Sequence, residues 1–271
     1  MIRLGHIDYS NCVPVHARLL ADPPPDITIV RGVPAQLNEA LATGAIHAAP
    51  CSSIEFARHS SSYGVLPGLV IGSDGPVQSI ILESTRPLKE LDRAVVAIPT
   101  ASAVSVVLLR AILELRDGVR PRFQWYDQED GTDPVDSGAA AVLRIGDVAL
   151  RRPVPAGRSA FDLGAEWTAW TGLPFAFAIW QVAPHLEPAG VRRLARLLDE
   201  SRAWFDARRE AQAAHWAPRL ALDRDRLLAY WASLRFTLDD RMERGLLHFY
   251  QLAAVLGEAP RADRLRILDV T

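Results

Sequence analysis

Ile2-Arg3-Leu4-Gly5-His6-Ile7 is a short, mostly apolar run that breaks into the polar turn Asp8-Tyr9-Ser10-Asn11. A run of this length, ended by turn residues, reads as a buried strand. Working outward, residues 14–20 read as a helix and residues 27–31 as a second strand. Residues 33–43 form an amphipathic pattern with Leu37 and Leu41 one turn apart and Gly44 as the stop. Residues 45–49 read as a third strand, and Ser52-Ser53-Ile54-Glu55 opens the next helix with capping-box spacing. Strand and helix alternate three times, which predicts an α/β fold with a parallel sheet under helices.

A second α/β series follows. Residues 79–83 read as a strand leaving the first unit, residues 94–98 as a strand, and residues 100–115 as a helix. Val104, Leu108, Ile112 and Leu115 share one face of that helix. Residues 139–143 read as another strand, residues 125–134 as an acidic surface loop, and residues 175–180 as an apolar, aromatic run. From Pro188 onward only helical patterns remain, over 190–209, 223–234 and 239–256. The economical layout is a two-lobed, type II periplasmic-binding-protein-like fold with a helical C-terminal tail. Residues 1–80 and 181–271 make the first lobe and residues 81–180 the second, with strands 79–83 and 175–180 crossing between them. Ligands of such folds sit between the lobes, where helix N-termini converge.

Composition narrows the function. Of 271 residues, 49% are apolar and 23% charged, a balance that supports a packed core. The net charge of −2 gives no reason to expect nucleic acid or an anionic membrane as partner. Lys89 is the single lysine, and the arginines are spread over the helices. In the Arg-rich stretch 192–209 they alternate with Asp199, Glu200 and Asp206 over a Leu, Trp and Phe stripe, which reads as a solvated face over a packed one. Cys12 and Cys51 make no disulfide framework and read as small core or lining residues. His6, His16, His47, His59, His185, His215 and His248 lack zinc-ligand spacing. Gly131, Gly138 and Gly146 do not form a phosphate loop, and no Gly-x-Ser-x-Gly elbow occurs. The N-terminus has no signal-peptide pattern and no run is long and apolar enough to span a bilayer, so the expected setting is the cytoplasm.

What remains is a set of hydroxyl and amide groups at strand ends and helix starts. Asn11 follows the first strand, Ser52 heads the helix after the third, and Ser79 opens the first crossing strand. Thr100, Ser102 and Ser105 stand at the start of one helix, and Gly146-Asp147 follow a later strand. In an open α/β sheet these positions line the crevice at the carboxyl ends of the strands. Neutral donors there suit a small carboxylate-bearing ligand. Each also has an ordinary use: Ser52 with Glu55, Thr100 or Ser102 as helix caps, and Asn11 as a turn residue.

Longer motifs add what spacing cannot. Residues 5–14, Gly-His-Ile-Asp-Tyr-Ser-Asn-Cys-Val-Pro, and residues 74–79, Asp-Gly-Pro-Val-Gln-Ser, resemble motifs of the chorismate dehydratases of the futalosine route to menaquinone. Residues 141–150, 162–167 and 171–180 resemble further stretches of that family, in order along the chain. The resemblance implies a binding-protein-like fold, chorismate as small-molecule substrate, and 3-[(1-carboxyvinyl)oxy]benzoate as product. It implies Ser79 and Asn11 as catalytic groups, Ser52, Thr100, Ser102, Ser105, Gly146 and Asp147 around the substrate, and neither metal nor other cofactor. Where the family carries Thr-Ser-Val after the fourth strand, this chain has Val104-Ser105-Val106. The alternatives are the dihydroxynaphthoate-forming enzyme of the same pathway, which opens on a different motif, and a protein that only captures or senses a carboxylate. The sequence carries no signal of oligomeric state.

Overall fold

A computed structural model describes all 271 residues. Strand β1 (Ile2–Ile7) leads through a single 3-10 turn, Ser10–Cys12, into α1 (Val13–Ala21). Strand β2 (Ile27–Gly32), α2 (Pro34–Ala42), β3 (Ala48–Ser52), α3 (Ser53–Arg58) and β4 (Gly64–Ser73) complete the first run. The chain then builds β5 (Ile80–Ser84), β6 (Val95–Pro99), α4 (Val104–Arg110), β7 (Arg122–Tyr126), β8 (Ala141–Ile145), α5 (Gly146–Arg151), β9 (Ser159–Asp162) and α6 (Leu163–Thr171). It returns through β10 (Phe175–Val182) to α7 (Pro188–Asp206), α8 (Arg209–Trp216), α9 (Arg224–Ser233), β11 (Leu234–Arg235) and α10 (Asp240–Val255).

Two mixed sheets result, ordered β11-β4-β10-β3-β1-β2 and β7-β6-β8-β5-β9. β1 pairs parallel with β2 and β3, as the alternation predicts, but β10 enters antiparallel between β3 and β4. This places β10 wholly inside the first sheet, where all eight of its residues are buried because neighbours flank both edges and cover both faces. β5 likewise lies wholly in the second sheet, so neither expected crossing strand crosses. The crossings are residues 74–79 on the way out and the end of α6 with residues 172–174 on the way back.

One half-buried carboxylate ties the two crossings together. Asp162 caps α6 by accepting from the N–H groups of Gly164 (2.9 Å) and Ala165 (3.1 Å). It also accepts from Val77 (3.0 Å) and Gln78 (2.6 Å) on the outgoing crossing. Four backbone donors on one carboxylate fix a turn in which Gln78 holds a left-handed φ of +64°. Gly164 must be glycine here, since a Cβ would stand 2.7 Å from the Gly75 carbonyl. Ser79 therefore leaves a rigid turn rather than a loose hinge.

Several expected elements move. The third strand runs over Ala48–Ser52 rather than residues 45–49, with Pro50 opposite Trp180 of β10 and beyond the pairing with β1, where its missing N–H costs no ladder bond. The helix read from Thr100 begins at Val104, because residues 100–103 are needed to turn out of β6. The tail is not purely helical, since β11 adds to β4. The acidic segment is not all surface: Gln128 is buried and Asp133 is 7% exposed among arginines. One continuous apolar core runs through both sheets and the tail, and both cysteines are fully buried in it.

Candidate active site

A narrow cavity lies between the two sheets, lined by Asn11, Ser52, Ser79, Ser102, Ser105 and Gly146 among apolar walls from Ile7, Ile71, Ile145 and Phe177. Six of the eight expected positions thus meet at one place. No charged side chain lines it. Its free space is about 50 Å³, room for a few waters and far below the ~300–1,000 Å³ of small-molecule pockets. A ligand of metabolite size needs more room than this space offers.

Asn11 is delivered by the 3-10 turn after β1, where its side-chain Oδ1 is buried and has no hydrogen-bond partner. A buried carbonyl left open costs free energy unless a donor arrives. Ser79 is 1% exposed and sits where the outgoing crossing becomes β5. Its carbonyl accepts from the Gly146 N–H (2.8 Å), and its Oγ accepts from the Tyr230 hydroxyl (2.9 Å). The Asn11 side chain lies beside the same phenol. Burial pushes the Tyr230 phenol far above its ordinary range, so it stays a protonated donor.

Ser52 precedes α3 but its hydroxyl makes no cap bond, which corrects the capping-box reading. Glu55 turns to Arg58 instead (2.7 Å), and Asn38 accepts from the Ser52 N–H (3.2 Å). The Ser52 hydroxyl is left for the cavity. Ser102 is part of the turn before α4, where its Oγ accepts from the Ser105 N–H (3.3 Å). Val104 presents an apolar wall where the resembling family carries threonine.

Two expected residues are elsewhere. Thr100 is exposed, its N–H donates to the Tyr126 carbonyl (3.1 Å), and it lines an outer depression with Arg58, Arg110 and Trp125. Asp147 turns away from the cavity to accept from the Ser10 N–H (3.0 Å) and the Ser10 hydroxyl. Burial raises its pKa, and the bonds from Ser10 oppose the rise. Asp147 thus joins α5 on the second sheet to the 3-10 turn on the first. Beside it the Tyr9 ring covers Gly146, whose φ is +60° and whose Cβ would stand 2.9 Å from that ring.

Sequence reasoning missed the contribution of the tail. Tyr230 and its neighbour Trp231, both in α9, reach Ser79 and the Ser10 carbonyl (2.8 Å) respectively. The available signal was a pair of large aromatics in a helix of otherwise modest apolarity. A second cluster, His6, Cys12 and His16, has its potential ligand atoms within 4.8 Å of one another. Its groups are engaged internally: Trp180 Nε1 donates to His16 Nε2 (3.1 Å), which leaves His16 Nδ1–H to donate to His6 Nδ1 (3.0 Å). Burial lowers His16 to about 3 and raises the Cys12 thiol to about 12, so the set is neutral core. No helix is long and apolar enough to cross a membrane.

A family model described as menaquinone biosynthesis matches residues 2–255. A chorismate dehydratase of Thermus thermophilus is 30% identical over 262 residues, which cover 91% of this chain and 93% of the relative. A chorismate dehydratase of Campylobacter jejuni is 32% identical over 180 residues, 64% of each chain. Among solved structures, a protein of Archaeoglobus fulgidus aligns with a TM-score of 0.79 at 17% identity, covering 94% of this chain and 97% of its own. The periplasmic aliphatic sulphonate binding protein of Escherichia coli aligns with a TM-score of 0.69 at 16% identity, covering 100% and 92%. These two establish a periplasmic-binding-protein-like fold.

Proposed function

The chain belongs to the menaquinone biosynthesis family, and from that premise we propose that it is a hydro-lyase converting chorismate to 3-[(1-carboxyvinyl)oxy]benzoate and water, with Asn11 and Ser79 as its catalytic groups. The observation that carries this reading is the pairing of those two side chains at one buried, uncharged cavity, with Asn11 Oδ1 left open as an acceptor. Chorismate loses its ring hydroxyl and the hydrogen on the ether-bearing carbon, and the ring becomes aromatic. No electrons are exchanged with a third party. Elimination is downhill, so the protein supplies pose, a polarised leaving oxygen and dryness.

In this reading the departing hydroxyl donates to Asn11 Oδ1 and accepts from the Ser79 hydroxyl. Both groups are neutral and leave the substrate's two carboxylates unopposed by a fixed negative charge. The enolpyruvyl carboxylate of the substrate takes the ring proton and passes it to the leaving hydroxide, which departs as water; this fits a cavity without a charged base. Ser52, Ser102 and Ser105 supply donors to the carboxylates. Asp147 and Thr100 leave the substrate set: the first acts as the clamp between sheets, the second lies outside. The same proposal counts residues 1–80 and the C-terminal part as one lobe and residues from 81 as the other, with β10 given to the first, in a cytoplasmic protein.

The direct test is incubation with chorismate in chelator-treated buffer, followed by absorbance and mass. The expected result is an aromatic product lighter than chorismate by one water. Tight binding without turnover, or activity lost on chelation and restored by metal, would overturn the reading. A milder outcome is expected for Ser52→Ala. Because the hydroxyl caps nothing, stability should stay within about 0.5 kcal/mol of the parent. KM should rise several-fold with kcat nearly unchanged, on the order of one lost neutral hydrogen bond. A dead Ser52→Ala protein would move the chemistry to that side of the cavity.

A further inference from the structure

We propose that Tyr230, in the helical tail, is the positioning residue that turns Ser79 into a directed donor toward the cavity; this rests on the role given to Ser79 above. Tyr230 is 1% exposed and is not among the residues lining the cavity. Its hydroxyl stands 2.9 Å behind the Ser79 Oγ, on the side away from the space that substrate would fill.

A serine hydroxyl rotates and can donate in any direction its neighbours allow. The Tyr230 phenol donates to the Ser79 Oγ (2.9 Å), the one hydrogen bond of that buried hydroxyl. With one lone pair filled from behind, Ser79 keeps its proton for the cavity. The phenol thus orders Ser79 without touching the reacting atoms. The buried phenol is held protonated by its surroundings, so the arrangement persists across the working pH range. Helix α9 is anchored for this task at its start, where Asp223 accepts from Asp225 and Arg226 N–H groups, and next to Tyr230, where Trp231 donates to the Ser10 carbonyl.

The test is a double-mutant cycle on the full-length chain with chorismate as substrate. Tyr230→Phe removes only the hydroxyl and keeps the ring. Its kcat should fall about 3- to 10-fold, the size of one lost neutral hydrogen bond, with KM and melting temperature near the parent's. In a Ser79→Ala background the same change should have no further effect on kcat, since there is no hydroxyl left to orient. In a Ser52→Ala background it should keep its full effect. A merely structural role would lower the melting temperature and act equally in every background. Tyr230→Phe at parent kcat, or an undiminished effect in Ser79→Ala, would overturn the proposal while leaving the role of Ser79 intact. Parent turnover in Ser79→Ala itself would overturn both.

Discussion

Ser79→Ala is expected to lower kcat on the order of 10²-fold or more while moving KM little, the range found for a single electrostatic donor at a developing charge. Asn11→Ala, which removes the acceptor that orients the leaving hydroxyl, is expected to lower kcat through lost positioning. Ser79 leaves a turn fixed by four backbone bonds to Asp162, and its carbonyl is held by Gly146, so the side chain has one approach to the cavity. Asn11 reaches the same space from a turn that Asp147 and Trp231 hold through Ser10. Both are fixed before substrate arrives, and fixed dipoles cost no reorganisation when charge appears on the leaving oxygen. In the bound substrate that oxygen is a neutral hydroxyl. As the carbon–oxygen bond lengthens it gains negative charge, and the Ser79 bond strengthens. An interaction stronger in the transition state than in the ground state shows in kcat. Steady-state kinetics with chorismate separates the outcomes. Loss confined to KM would make both groups binding residues, and parent turnover in both variants would place the chemistry elsewhere.

The structure brings the expected residues to one cavity where local rules and tertiary structure agree. Asn11, Ser52, Ser79, Ser102, Ser105 and Gly146 each follow or open a strand or helix, and strand ends converge in an open α/β sheet. Asp147 broke the pattern because a buried carboxylate seeks donors, and the two on Ser10 come from the other sheet, beyond the reach of local spacing. Thr100 broke it because the turn out of β6 takes four residues before α4 starts. The crossings were misplaced for a similar reason. Residues 175–180 are apolar throughout because β10 is buried on both faces inside one sheet, and a strand bridging two lobes would show the same composition. Tyr230 was invisible since its partner is 151 residues away and helix periodicity says only that it faces inward.

Nor does periodicity flag Arg144, an arginine in a fully buried strand, whose loss is expected to cost the most stability. Arg144 is 2% exposed in β8. Its Nε donates to Glu83 (3.1 Å) and its guanidinium lies 3.2 Å from Asp133. Arg158 bridges the same two carboxylates at 3.2 and 2.8 Å, and Arg152 joins Asp133 from the edge. Glu83 and Asp133 are 3% and 7% exposed, so neither can turn to water when a partner is removed. Removing one member of a buried ion cluster typically costs about 3–5 kcal/mol, because the desolvation of the remaining charges is no longer offset. Arg144→Ala is expected in that range, read as a shift in the urea midpoint at constant slope. Arg144→Met combined with Glu83→Gln should recover part of the loss, since it removes one stranded charge and keeps volume. The pH dependence follows from Asp133. Burial works to raise its pKa, but Arg158, the Val135 N–H and Arg144 outweigh it and hold the carboxyl below its ordinary value. A folded pKa below the unfolded one gives stability that is present above about pH 4 and lost as pH falls through the folded value. The gap between parent and Arg144→Ala should therefore be widest near neutral pH and shrink below about pH 4. A loss under ~1 kcal/mol at neutral pH would mean that the cluster behaves as an exposed salt bridge does, screened and replaceable by water.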